Sequence, residues 1–433
     1  MRVTIIGGGL AGSEAAWQCA ERGVEVALYE MRPAVMTPAH RTDLLAELVC
    51  SNSLKSNSMS TASGLLKDEM RRLDSLVMRA AGSNTVPAGD ALAVDRDHFA
   101  AAVTDALQGH PKVTITREEV SYIDPDRLTV VASGPLTSDA LSSAIASLTG
   151  EEHLYFYDAI APTIDAESID YEKVFRASRY GKGEEAYLNC PLDREQYDAL
   201  CDGLVAAEKA PCREWEEIKF FEGCLPIEEL AARGRKTLAF GPLKPVGLTD
   251  PKTGKRPYAC VQLRQENAEA TLYGLVGFQT RLRQPEQKRV FRAIPGLENA
   301  EFVRYGAVHR NTYVNSPKLL LRTLQLREHP LVLPAGQLTG VEGYLESASM
   351  GLLAGINAAR LATGREPTEA PRESMMGSLA SFLIEPEPRS FQPMNANFAI
   401  LPPLFPRVHD KKERHARLIA RAQAAMTEWV RGL

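Results

Sequence analysis

Arg2-Val3-Thr4-Ile5-Ile6-Gly7-Gly8-Gly9-Leu10-Ala11-Gly12 decides the fold of this chain. An apolar strand runs straight into Gly7, Gly9 and Gly12, a G-x-G-x-x-G in which each glycine has its own task. Gly7 permits the tight turn, Gly9 lets backbone amides approach a pyrophosphate, and Gly12 lets the next helix close onto the strand. The partial positive charge at that helix's N-terminus then faces the phosphates. Ala11, Ala15 and Cys19 recur at four-residue spacing, which predicts a helix from Leu10 to Arg22 with one small stripe against a sheet, stopped by Gly23. A second strand, Val24 to Tyr29, delivers Glu30 about 20 residues beyond the glycines, where a carboxylate accepts hydrogen bonds from a ribose. The expected dinucleotide contacts are Gly7, Gly8, Gly9, Leu10, Ala11, Gly12, Glu30 and Arg32. A glycine turn with no ligand is the weaker reading, because strand, glycines, helix, strand and acid stand in register.

At 433 residues the chain is long enough for two or three domains with cores that need no staples. Lys plus Arg number 50 against 55 Asp plus Glu, a net charge of −5, so no global field advertises nucleic acid, although a local basic face stays open. The nucleotide strand leaves no room for a signal peptide, and no apolar run reaches membrane-span length. The expectation is a cytoplasmic protein without membrane contact. Seven cysteines, at 19, 50, 190, 201, 212, 224 and 260, include no C-x-x-C, so they are read as reduced thiols. No Cys/His cluster predicts a metal. Oligomeric state stays open, with a monomer carried as the reading.

Further on, a helix from Asp97 to Leu107, strands at Val113 to Arg117 and Leu128 to Ala132, and a helix capped by Ser138 and running to Leu148 continue the α/β pattern. Leu154-Tyr155-Phe156-Tyr157 reads as a buried strand returning to a sheet. Beyond Asp165 the pattern changes to a charged helix, Arg194 to Ala210, and alternating strands, Tyr258 to Leu263 and Thr271 to Phe278. Leu331 to Gly336 then resumes the first fold, followed by a glycine-punctuated loop, Gln337 to Tyr344, and a small-residue helix from Ser347 to Arg360. This late unit aims a second helix N-terminus at the cofactor, adding Gly336, Gln337, Gly343 and Tyr344 to its site, or else it is a separate packing unit. Enclosure by both chain ends suits FAD better than a released nicotinamide. Glu366 to Arg372 reads as a connector and His409 to Val430 as a helix. The fold class is therefore α/β: a Rossmann-like FAD-binding fold of the glutathione-reductase type, 1–165 with 316–433, carrying an inserted α+β domain at 166–315.

Two cysteines have informative surroundings. Cys50 sits where Ala46-Glu47-Leu48-Val49 gives way to Ser51-Asn52-Ser53, and Cys224 precedes Pro226, a residue suited to a first helical turn. An ordinary thiol is only about 3% thiolate at pH 7, so local surroundings decide reactivity. Cys19, Cys201 and Cys260 read as core residues, while Cys190 and Cys212 are undecided. Arg304-Tyr305-Gly306-Ala307-Val308-His309-Arg310-Asn311-Thr312-Tyr313 gathers an imidazole, guanidinium groups and aromatics into a possible stacking wall, against which stands an ordinary structural role for His309.

These motifs converge. Gly7 to Gly12, Thr37-Pro38-Ala39-His40, Glu47 to Ser53, Phe221-Glu222-Gly223-Cys224, His309 to Tyr313 and Gly336 to Tyr344 together closely resemble the bacterial folate- and FAD-dependent tRNA (uracil-5-)-methyltransferases, over nearly the whole chain. The related flavoproteins that modify wobble uridines share the first and last motifs but carry a long C-terminal helical extension that is absent here. The resemblance implies methylenetetrahydrofolate as carbon donor, FAD as reductant, NADH or NADPH to reduce the flavin, and C5 of the T-loop uridine of tRNA as acceptor. It implies Cys224 as the nucleophile at C6 and Cys50 as general acid/base, or the reverse, and His309 and Arg310 as folate contacts. C5 of uracil becomes nucleophilic only after addition at C6, which is why such a site needs thiols. An extruded uridine needs phosphate contacts, and the dense stretch Arg281, Arg283, Lys288, Arg289 and Arg292 is the candidate, against the plainer reading of a solvated helix face. Lys411, Lys412, Arg414 and Arg417 are weaker candidates.

Three rivals remain from sequence: methylation of a ribosomal RNA uridine by the same chemistry, an NAD(P)H-dependent FAD oxidoreductase acting on a small molecule, and an RNA-binding flavoprotein with structural cysteines.

Overall fold

A computed structural model describes residues 1–151, 154–181, 185–210, 225–389 and 391–433, with side chains left undescribed at 154–158 and 309–310. Val3–Ile6 lies at the centre of a five-stranded parallel sheet in the order Val332–Pro334, Thr129–Val131, Val3–Ile6, Val26–Tyr29, Val113–Thr116. Ile5 pairs with Leu28 on one side and Val130 on the other, and all three are fully buried. Such unbroken burial is what a parallel sheet covered on both faces requires.

The predicted first helix is present as Leu10–Glu21, and the predicted late helix begins three residues early, spanning Tyr344–Ala362. The small stripe of the first helix meets this second helix rather than the sheet alone. A Cβ on Gly351 would fall inside contact distance of the Ala11 backbone, one on Gly355 would lie 2.7 Å from Ala15 Cα, and Cys19 Sγ donates to Gly355 O at 3.3 Å. Contacts that advance together along both chains make the helices parallel, so their N-termini lie at one end.

The second unit is a six-stranded sheet, in the order Phe175–Arg176, Tyr187–Leu192, Ala259–Gln265, Leu272–Leu275, Thr163–Asp165, Phe302–Arg304. Its pairings are antiparallel, and its own core contains Tyr197, Phe278 and Phe291. Thr163–Asp165 pairs here although it precedes the division drawn at 165/166. Leu154–Ile160 is a strand as expected, and the sheet it joins is a separate two-stranded one. It pairs antiparallel with Ala307–Tyr313, so the chain enters and leaves the second unit along one ribbon. The helix predicted to reach Ala210 ends at Ala206, because Lys209 bridges to Leu282 and Ala210 N–H donates to Arg281 O. The C-terminal helix spans Lys411–Arg431 behind an Asp410 cap.

Helices Ala62–Arg72, Leu76–Ser83 and Met375–Phe382 are additional to those that the sequence pattern predicts. Glu69, fully buried, accepts from Met375 N–H at 2.7 Å and Met376 N–H at 2.8 Å and so ties the first of these to the last. Burial raises its carboxyl from 4.5 to about 8 despite those donors. The folded state therefore keeps a proton that the unfolded chain has lost, and the contribution, full below 4.5, is lost as pH rises toward 8. Replacing Glu69 by Gln is expected to flatten the dependence of melting temperature on pH across that window. A Gly351→Val chain is expected to lose stability by roughly 3 kcal/mol or more, read by thermal melting.

Candidate functional site

The glycine loop opens into a cleft of about 990 Å³ lined by Gly7, Gly9, Leu10, Ala11, Glu30, Arg32, His40, Gln337 and Tyr344, among others. Gly7 holds φ +102°, and a Cβ there would lie 2.5 Å from Ala132 O. One on Gly9 meets nothing within 4 Å, so the backbone is open to a ligand at that residue. Gly8, Gly12 and Gly336 shape the walls instead. Gly8 N–H donates to Glu30 Oε2 at 2.8 Å, Gly12 rests on Gly7 O, and Gly336 packs on Ala11 Cβ. Neither Leu10–Glu21 nor Tyr344–Ala362 has a side-chain N-cap, so both present bare first-turn amides beside the cleft. Open backbone at Gly9 and an uncapped helix start supply amide donors for the phosphates, and Glu30 supplies a carboxylate acceptor for the ribose, so the residues present fit an FAD dinucleotide.

Glu30 is less simple than a ribose acceptor. Burial raises its carboxyl, but hydrogen bonds and charge from Arg32, with the Gly8 amide, outweigh this and hold it below the usual range. Arg32 Nε donates to Glu30 Oε1 at 2.9 Å and its Nη1 to Glu47 Oε2 at 3.1 Å. His40, whose Nδ1 shares a 2.6 Å hydrogen bond with Thr37 Oγ1, is lowered to about 4 by burial and then by Arg32, so it is neutral at pH 7.

A second cavity, about 1160 Å³ with its mouth, continues from the first through Val49, Pro135, Leu136, Gln337 and Tyr344. Cys50, half-buried, lies on its wall with Ser51, Lys55, Arg264, Gln279, Asn311 and Gly343. Tyr344 Oη accepts from Cys50 N–H at 2.7 Å and Ser51 N–H at 3.2 Å, and burial pushes this phenol up. Three arginines hold the rest of the loop. Arg96 Nη1 donates to Leu48 O at 2.6 Å and Nη2 to Cys50 O at 3.1 Å, Arg304 donates to Val49 O, and Arg264 Nε donates to Asn52 Oδ1 at 2.7 Å. Burial, and then the Arg96 charge, bring Arg304 down to about 10. Glu266 accepts from Arg96 Nε at 2.7 Å. Ala46 (φ 54°) and Lys55 (φ 62°) bend the chain on either side of the loop, a backbone cost that neighbouring contacts must offset.

Cys224 and Cys212 lie outside the described residues. Pro226 caps helix Ile227–Ala232, and Ile227 N–H donates to Gln279 O at 2.7 Å, which ties that segment to a residue on the wall of the second cavity. His309 and Arg310 stand on strand Ala307–Tyr313, opposite Asp158 and Tyr157, and their side chains lie outside the description. Cys19, Cys190, Cys201 and Cys260 are buried, and desolvation raises every one of these thiols. Of the basic stretch, Arg281 pairs with Glu229 at 2.6 Å, Arg283 with Glu208 at 3.2 Å and Arg289 with Glu286 at 2.6 Å, while Arg292 bonds Ala300 O. Lys288 lies 5.8 Å from the Tyr305 ring centroid. Arg96 and Arg264 carried no sequence signal, whereas Glu47, Asn52 and Arg304 stood inside the quoted motifs. No group of metal-binding side chains is found among the described residues, and no helix among them is long and apolar enough to cross a membrane.

A parallel nucleotide fold with a cysteine at the inner end of its cleft defines a class of dinucleotide-binding proteins, and comparison with known proteins agrees. Residues 2–366 match the family model described as glucose inhibited division protein A, and the chain belongs to that family. The chain is 60% identical over 420 residues to a methylenetetrahydrofolate–tRNA-(uracil-5-)-methyltransferase TrmFO of Pelotomaculum thermopropionicum, covering 97% of this chain and 96% of that one. A protein of the same name from Enterococcus faecalis is 58% identical, covering 100% and 99%. Among solved structures, Aquifex aeolicus GidA superposes with a TM-score of 0.70 at 18% identity, covering 99% of this chain and 73% of that one, which supports the fold.

The Tyr344 phenol is the acceptor for two amides of the thiol loop, and its removal leaves both partly buried N–H groups unmet. Tyr344→Phe is expected to lower the melting temperature and to raise the alkylation rate of Cys50 by iodoacetamide roughly threefold or more, followed by peptide mass spectrometry. Unchanged values for both would remove the phenol as an anchor.

Proposed function

We propose that this chain transfers a one-carbon unit from methylenetetrahydrofolate to C5 of the T-loop uridine of tRNA. The observation that carries this reading is Cys50 on the wall of a cavity continuous with the dinucleotide cleft, in a chain 60% identical to a relative whose name states that reaction. The relatives' names specify tRNA, which favours it over ribosomal RNA. FAD bound in the first cleft, reduced by NADH or NADPH, supplies the two electrons that turn the transferred methylene into methyl.

The chain's own residues divide the remaining work. Gly9 and the start of helix Leu10–Glu21 hold the dinucleotide phosphates, and the Glu30–Arg32 pair sets the ribose end. One thiolate adds to C6 of the uracil, making C5 an enolate carbon able to attack the methylene. After transfer, the other sulfur takes the C5 proton, and elimination at C6 restores the ring and releases the first. We assign C6 addition to Cys224 and proton transfer to Cys50, whose loop the Tyr344 phenol and Arg96 hold at the inner end of the cleft. Asn311, adjacent to His309 and Arg310 on their strand, lines the same cavity, which supports a folate contact there. In the stretch 281–292, Lys288 beside Tyr305 is the strongest RNA contact, because carboxylates already engage Arg281, Arg283 and Arg289. The reading also carries a cytoplasmic, monomeric protein whose inserted domain occupies 166–315, with strand Thr163–Asp165 joined to it.

Purified protein given methylenetetrahydrofolate, NAD(P)H and unmodified tRNA is expected to produce 5-methyluridine, detected by nuclease digestion and mass spectrometry. Cys50→Ala and Cys224→Ala are each expected to lower this at least a hundredfold while NAD(P)H still reduces the flavin. Full activity in either variant would take that sulfur out of the reaction.

A further inference from the structure

One cavity of the second unit has no part in the chemistry above. It measures about 1130 Å³ with its mouth and is walled by Lys236, Lys244, Arg256, Phe240, Val246 and Tyr258 with neighbouring prolines and alanine, and among the described residues no carboxylate lines it. The three cationic residues are exposed, and none of their charged ends is paired with another described residue. This is the opposite of the stretch 281–292, where Arg281, Arg283 and Arg289 are engaged by carboxylates. Phe240, at the end of helix Thr237–Phe240, is 79% exposed, so its ring is open to a ligand at the cavity wall. Tyr258 is set at a fixed angle by an edge contact with the buried Tyr197 ring, centroids 5.2 Å apart. Unpaired cations around exposed aromatic faces form the combination that holds a nucleic-acid backbone and stacks an unpaired base.

The strand that follows Tyr258 gives the cavity a fixed relation to the thiol. Strand Ala259–Gln265 begins at the next residue, and Arg264 near its far end holds Asn52 in the Cys50 loop. Six residues of extended chain span about 20 Å. At roughly 3.4 Å per nucleotide, that separation is about six nucleotides, too far for one small substrate to touch both places and well within the reach of a folded RNA.

We propose that this cavity is a second docking point for tRNA, at which Lys236, Lys244 and Arg256 hold phosphates and Phe240 with Tyr258 stacks an unpaired base while the target uridine occupies the cavity at Cys50. The proposal rests on the methylation reading for the identity of the RNA, and its test does not depend on turnover. Flavin-loaded wild type, the triple variant Lys236→Ala/Lys244→Ala/Arg256→Ala and Phe240→Ala are titrated with fluorescent unmodified tRNA over a range of salt. The triple variant is expected to bind at least tenfold more weakly, with the log–log salt slope shallower by about two to three. Phe240→Ala is expected to bind roughly fivefold or more weakly with the slope unchanged. Flavin reduction by NAD(P)H is expected to be the same in all three, which shows that the variants are folded. Equal affinity and equal slope in all three would overturn the docking point and leave the exposed ring to a protein partner. If the wild type binds through this surface but forms no 5-methyluridine, the docking point stands and the proposed function falls. If the wild type methylates and the variants bind like it, the reverse holds.

Discussion

The close contact between helices Leu10–Glu21 and Tyr344–Ala362 is the constraint on which the rest of the molecule depends. Ala11 and Ala15 lie on Gly351 and Gly355 with no side chain between the backbones, so the two helices cannot separate or slide without losing contact over several turns. Because the helices are parallel, the contact brings two uncapped N-termini from opposite ends of the chain to one side of the sheet. The first faces the glycine loop. The second carries Gly343 and Tyr344 to the inner cavity, and through the Tyr344 phenol it reaches the backbone of Cys50.

The loop around Cys50 is held from both units of the fold. Arg96 begins a helix of the nucleotide unit, whereas Arg264 and Arg304 belong to strands of the second sheet, and all three donate to groups between Leu48 and Asn52. Asn52 adds a further link, donating to Val94 O and Gln265 O at 3.0 Å each. A loop with two left-handed residues has little conformational preference of its own for this shape, so the shape is set by the guanidinium groups around it. The position of the sulfur is thus a property of how the two units meet.

Local rules made much of this legible in the sequence. The strand, glycine turn and first helix follow from spacing that acts over a few residues, and the late unit at 332–362 repeats the same logic. Cys50 was recognisable by an abrupt change of polarity, and it does line the inner cavity. The illegible parts are those set by distant partners. Nothing in the stripe Ala11, Ala15, Cys19 says whether it meets a sheet or a helix, because small residues suit both. Leu154–Ile160 looks like any buried strand, and only Ala307–Tyr313, some 150 residues later, determines its pairing. Arg96 and Arg264 are ordinary arginines until a fold brings them to the same loop, and the charges at 281–292 looked available because their carboxylate partners come from elsewhere in the chain, apart from Glu286.

The central strand Val3–Ile6 has a consequence for the order of assembly. It is made first, yet Thr129–Val131 beside it waits for Val332–Pro334, and helix Tyr344–Ala362 is made later still. During synthesis the second unit can complete its own core while the older half of the nucleotide fold still lacks an edge and a covering helix. The strand that completes that edge and the helix that walls the cleft are thus the last parts of the nucleotide site to leave the ribosome, after every strand of the inserted unit.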